Sequence, residues 1–115
     1  MEEKKMTDKR FTDIIQKQIT QIQDTLLKKQ GEYATEDRLH NFRAAANIQG
    51  CTMEEALAGM LCKHTVSIYD MVRGIGRGRG FPNEVWDEKI NDHIIYLLLL
   101  KAITEDRPEI VWEED

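Results

Sequence analysis

The sequence is poor in the residues that mark several large protein classes. Its 115 residues include two cysteines and two prolines, and only 7% are aromatic. Two cysteines cannot build the disulfide framework of a small secreted domain, and Cys51 and Cys62 lack metal-type spacing. They read as free thiols in a reducing cytoplasm. The longest apolar run, Ile94 to Leu100, is far too short to span a bilayer, so no membrane partner is expected. The opening residues, MEEKKMTDKR, are charged and no apolar segment follows, which argues against a secretory signal. Runs of alternating β-branched residues are scarce, and helices are expected rather than sheet. The formal net charge is −5, so nucleic acid is an unlikely partner for the surface as a whole. No internal repeat is evident.

What is present is helical periodicity. The length suits one domain, and 41% hydrophobic with 32% charged residues is ordinary for a globular chain. Residues 1–6 read as frayed. From Thr7 to Lys29, Phe11, Ile14, Ile15, Ile19, Ile22, Leu26 and Leu27 recur at three- and four-residue steps, an amphipathic helix for scaffold or dimer packing. Gly31 is a natural stop. Thr35 is placed to cap a second helix from about Glu36 to Asn47, which Gly50 closes. Asp37, Arg38 and Asn41 then share a face, able to orient a base or a phosphate or simply to make a local Asp–Arg contact in solvent.

The stretch from Thr52 to Arg73 is the centre of the chain. Thr52, Glu54 and Glu55 form a helix start, with a capping hydroxyl and acids where the helix dipole favours them. Met53, Leu57, Met60, Leu61, Ile68 and Val72 follow at helical spacing. Inside this apolar pattern runs a polar line. At about 100° per residue, Lys63, Ser67 and Asp70 fall on one side with Ala56, Gly59 and Met60. Such a line is either an internal ion pair or a site.

Next comes RGIGRGRGFP, residues 73–82, in which four glycines alternate with three arginines. Glycine exposes backbone N–H groups and arginine supplies forked donors, so Arg77 and Arg79 are candidate phosphate ligands. A flexible linker kept soluble by its charge is the competing reading. The segment is no Walker loop, having neither Gly-Lys-Ser/Thr nor a preceding strand. A last long helix starts at Pro82-Asn83-Glu84 and runs to about Ile103, apolar nearly all round in its second half and therefore expected to be buried. Glu88 and Asp92 stand one turn apart within it. Residues 105–115 are acidic, with Ile110, Val111 and Trp112 available for docking.

Folding the last two helices as an antiparallel hairpin would bring Asp70, Glu88 and Asp92 to one end. Clustered carboxylates repel unless a cation relieves them, and oxygen ligands of this kind suit Mg²⁺ with phosphate. The competing arrangement pairs Lys63 with Asp70 or Glu88 as a half-buried salt bridge. His40, His64 and His93 fall on three different helices without zinc-ligand spacing, and His64 beside Lys63 is a structural residue or a general base.

Three segments in order, YATEDRLHNF (33–42), ALAGMLCKH (56–64) with Ser67 and Asp70, and WDEKIND (86–92) with YLLLL (96–100), resemble a family of small phage and prophage proteins. That family is related to the nucleotide-modification-associated domain and distantly similar to the MazG-type all-α nucleotide pyrophosphohydrolases. The resemblance spans roughly residues 30–104. It implies an all-α, four-helix bundle-like domain in the cytoplasm of a bacterial host, a homo-oligomer with a dimer as first choice, and a nucleotide as ligand. It also implies Mg²⁺ held by acids on two neighbouring helices. Glu88 and Asp92 match the second acidic motif, with one residue more between them, whereas Gly59, Met60, Lys63 and His64 stand where the first motif would want acids. The expected catalytic and metal residues are Asp70, Glu88 and Asp92. The expected ligand-binding residues are Lys63, His64, Arg38, Asn41, Arg77 and Arg79. The two functions in view are Mg²⁺-dependent pyrophosphohydrolysis of nucleoside triphosphates, and non-catalytic capture of a nucleotide or a host protein.

Overall fold

The computed structural model describes residues 4–29 and 37–105. The fold is all-α: α1 (Asp8–Lys29), α2 (His40–Gln49), α3 (Met53–Gly76) and α4 (Asn83–Glu105), with no strand among the described residues. The chain divides into two units, the first holding α1 and the second α2, α3 and α4. No described helix is long and apolar enough to cross a membrane. Both cysteines are free.

Helix α1 starts where its sequence places it. The Arg10 N–H donates to Thr7 Oγ1 at 3.1 Å, occupying one of the amides that a first turn leaves without a partner. Phe11, Ile15 and Ile19 are exposed along it.

In the second unit α3 packs against both α2 and α4. Only residues 77–82 separate α3 from α4, so the two run antiparallel. The start of α3 is a full capping box: the Glu55 N–H donates to Thr52 Oγ1 at 3.1 Å, and the Thr52 N–H to Glu55 Oε1 at 3.2 Å. The core gathers Leu39, Phe42, Leu57 and Ile103, with Met53, Met60, Leu61, Tyr96, Leu99 and Leu100 packed around them. It therefore joins the start of α2, the first half of α3 and the last half of α4.

Two boundaries and the burial of one helix differ from the sequence reading. Helix α2 begins at His40 rather than Glu36, and its proposed cap Thr35 lies outside the described residues. The N-cap position is Leu39, without a side-chain cap bond; ahead of it the Asp37 carboxylate accepts from the Leu39 N–H at 2.9 Å and from Arg43 Nε at 2.8 Å. Helix α3 continues past Arg73 into the glycine run and ends at Gly76. In α4 the apolar second half is only partly covered, with Leu97 and Leu98 about half exposed.

The bond from the Leu39 amide, followed by that from Arg43, holds the Asp37 carboxyl below its ordinary range. A depressed carboxylate contributes stability that is fully present above the unfolded value, about 3.9, and is lost as pH falls through the lower folded value. Urea unfolding repeated across an acid pH series should therefore show stability declining below about pH 4. The Asp37→Asn variant should be less stable at neutral pH and should lose that part of the acid dependence.

Candidate functional site

The α3–α4 pairing decides which polar residues meet. Tyr96 points into the junction of three helices, edge-on to Phe42 of α2 with ring centroids 6.5 Å apart, and beside His64 of α3 at 4.8 Å. One turn earlier on α4, Asp92 Oδ2 lies 3.9 Å from His64 Nδ1. At that separation the contact is longer than a hydrogen bond, and its strength depends on the imidazole being protonated. The His64 and Asp92 side chains are 27% and 38% exposed, so the pair is lined by protein yet open to a ligand. Lys63, next in sequence to His64, is exposed, and among the described residues it pairs with neither Asp70 nor Glu88. Among the described residues the salt bridge expected as one alternative from sequence is thus not formed, and Lys63 is exposed to solvent. Ser67, one turn along α3, is partly buried.

The other expected carboxylates stand apart from this cluster. Asp70 and Glu88 are both exposed. Six residues separate Asp70 from His64, about 9 Å along the helix, and Glu88 is about 6 Å along α4 from Asp92. Among the described residues no three His, Cys, Asp or Glu side chains are grouped to hold a metal ion. As they stand, Asp70, Glu88 and Asp92 do not form the convergent ligand set inferred from the hairpin. The reason is helical phase. Met71 and Gly74 are the buried residues of that end of α3, and Asp70, a step of about 100° from Met71, turns to the flank.

The Gly/Arg segment is an ordered helix end. Gly78, at φ 82°, sits in the left-handed region; its N–H donates to the Ile75 carbonyl at 3.0 Å, and the Arg79 N–H to the Gly74 carbonyl at 2.8 Å. Those are the paired bonds of a Schellman stop. Phe81 folds back onto Gly74, where a Cβ would meet its ring at 3.0 Å, and stands edge-on to Trp86 with centroids 6.2 Å apart. The Arg79 guanidinium lies over the Phe81 ring, 5.8 Å from its centroid. Gly78→Ala should cost about 1–2 kcal/mol in urea unfolding, because a Cβ is strained in this backbone region. Arg73, Arg77 and Arg79 are exposed around this stop. Arg77 is thirteen residues from His64, roughly 20 Å along the hairpin, so the loop arginines and the His64 cluster are separate places.

Arg38 and Asn41 lie before and within the first turn of α2. Arg38 is partly buried and Asn41 exposed, and Asp37 is engaged with Arg43. His40 is exposed at the start of α2. His93 is partly buried, and its Nδ1 has no hydrogen-bond partner among the described residues. In the sequence Tyr96 is only the first residue of the YLLLL run. Its place opposite His64 follows from the hairpin register, four residues beyond Asp92. No protein-family model, no curated protein and no solved structure matches this chain.

Proposed function

We propose that this chain is a phage-type nucleotide-binding protein whose ligand lies on the α3–α4 flank around His64. The observation that supports this most is the meeting of His64, Asp92 and Tyr96 across two helices, with the exposed Lys63 next to His64 in sequence. Aromatic and imidazole faces suit a base, and a lysine with three donors suits phosphate. Arg77 and Arg79 stand too far along the hairpin to hold the same mononucleotide, and Lys63 takes the phosphate role in this reading.

Mg²⁺ commonly binds through one or two carboxylates together with substrate phosphates, keeping several waters. Asp92 and Glu88, one turn apart on α4, fit that smaller requirement; Asp70, nearer the loop, does not join them. When bound there, the ion would neutralise phosphate charge. His64, Asp92 and Tyr96 themselves bind and orient. Asp92 stands across from the His64 imidazole, and Tyr96 packs against its ring.

The resulting activity is capture of a nucleotide, with pyrophosphohydrolysis as the extension that an assembled metal site would support. Two measurements separate these outcomes. The chain is mixed with a panel of ribo- and deoxyribonucleoside triphosphates with and without Mg²⁺, and both melting temperature and pyrophosphate release are followed. Binding raises the melting temperature, since a ligand selective for the folded state stabilises it. Stabilisation without pyrophosphate identifies a binder; pyrophosphate release that Asp92→Asn abolishes identifies a hydrolase. No stabilisation and no turnover with any nucleotide would reject both.

A further inference from the structure

The Gly/Arg turn between α3 and α4 is a sequence motif that the nucleotide reading leaves unused. Between Met71 and Asn83 stand three arginines and no acid, in a chain whose formal charge is −5. Arg73, Arg77 and Arg79 make no ion pair among the described residues. Arg73 and Arg77 are four residues apart, about 6 Å along the helix axis and on one side of it. The dipole at the end of α3 favours cations there. It does not account for Arg79, which lies beyond the helix stop and over the Phe81 ring. The glycines divide in two. Gly74 and Gly78 are needed by the fold, Gly74 because Phe81 lies against it and Gly78 for its positive φ. Gly76 and Gly80 are not. Neither has a positive φ, and a Cβ on either would meet nothing within 4 Å among the described residues. Glycine within a helix costs conformational entropy relative to alanine, so the fold alone would favour a side chain at Gly76. What bare backbone permits is the close approach of a ligand.

We propose that this turn holds a single-stranded nucleic acid. Arg73 and Arg77 grip phosphates, the strand passes close over Gly76 and Gly80, and Arg79 stacks on a base. Guanidinium forks match phosphate, and guanidinium planes stack on unpaired bases. Arg79 is already positioned by the Phe81 ring, so less freedom is lost when a base meets it. Elsewhere the negative charge of the chain repels a polyanion, which confines the contact to the turn. An acidic peptide would use the forks but not the stacking plane. A membrane would want an aromatic ring turned outward, whereas Phe81 is folded back onto Gly74. The turn stands apart from His64, and strand binding does not depend on the mononucleotide reading.

Fluorescence anisotropy of the full chain with labelled oligo-dT and oligo-U of about twelve nucleotides tests the proposal. Binding to either strand at low salt is expected, and the two arms distinguish DNA from RNA. Two phosphate contacts on a single strand predict a slope of log affinity against log salt of about −1.4, which Arg77→Ala should halve. Arg79→Lys keeps the charge and loses the plane, so it should weaken binding about fivefold with the slope unchanged. Gly76→Ala and Gly80→Ala should weaken strand binding while urea unfolding shows a fold at least as stable as the wild type. A structural role for these glycines would give the opposite sign. No binding to either strand at low salt would overturn the proposal. So would a slope indifferent to Arg77→Ala, or glycine variants that bind like the wild type. Inorganic polyphosphate or polyglutamate competing as well as the oligonucleotide would overturn it too, since neither carries a base. Strand binding that Lys63→Ala removes and Arg77→Ala does not would belong to the His64 cluster and overturn the assignment to the turn.

Discussion

Shortening Leu57 to alanine is expected to cost about 2–5 kcal/mol. Leu57 and Ile103 are the large side chains with no exposed surface, and they meet in the cluster that ties α2, α3 and α4 together. Leu57 lies one turn after the capping box, where the helix is held in register and cannot slide to fill a void. The lost transfer free energy and the unfilled cavity therefore add. Domains of this size have a total stability of about 5–15 kcal/mol, so a single truncation removes a large share of it. With a urea slope of about 1–3 kcal/mol/M, the unfolding midpoint should fall by about 1 M or more. Ile48→Ala is the matched control: the same chemistry at an exposed position of α2 should change stability by no more than about 0.5 kcal/mol. Equal losses at both positions would mean that the core is elsewhere.

The second large effect concerns the ligand. Lys63→Ala, His64→Ala and Asp92→Asn should each weaken nucleotide binding by about tenfold to a hundredfold. This is the range expected when one charge-assisted contact of about 1.5–3 kcal/mol is removed. Asp70→Asn and Arg79→Ala should leave affinity close to the wild type, because neither group shares the His64 cluster. Calorimetric titration with a nucleoside triphosphate and Mg²⁺ measures all five. Loss at Arg79 with no change at Lys63 would move the ligand from the middle of the hairpin to its closed end.

Some of this arrangement can be read in the residues and some cannot, for physical reasons. Thr52 with Glu55 is a local signal, since both partners lie within one turn, and the capping box forms as written. Gly50 and Gly78 are equally local: each ends a helix with positive φ, although the position of Gly78 extends α3 beyond the first glycine of the run. The start of α2 is less legible: Thr35 offers a capping oxygen, but the helix begins at His40 behind Leu39, which has no side chain to cap with. The reach of Arg43 back to Asp37 helps to hold the turn ahead of it. The phase of α4 is the hardest case. From Ile94 to Leu100 nearly every side chain is apolar, so hydropathy does not say which side faces α3. That depends on long-range packing of Leu57 against Ile103. The same packing sends Asp70 to the flank and brings Tyr96 to His64. The described residues show no group of three carboxylates at that place, and the approach of His64 to Asp92, which the residues alone did not mark, follows because both lie on facing sides of the two helices.

The central proposal is that nucleotide is held where His64, Asp92 and Tyr96 meet, with Lys63 next to His64 in sequence. Amide chemical-shift mapping of the uniformly ¹⁵N-labelled full chain during titration with a nucleoside triphosphate and Mg²⁺ tests it most directly. The account predicts saturable shifts concentrated at residues 60–67 of α3 and 89–96 of α4. Shifts confined to residues 73–81, or none at saturating nucleotide, would contradict it.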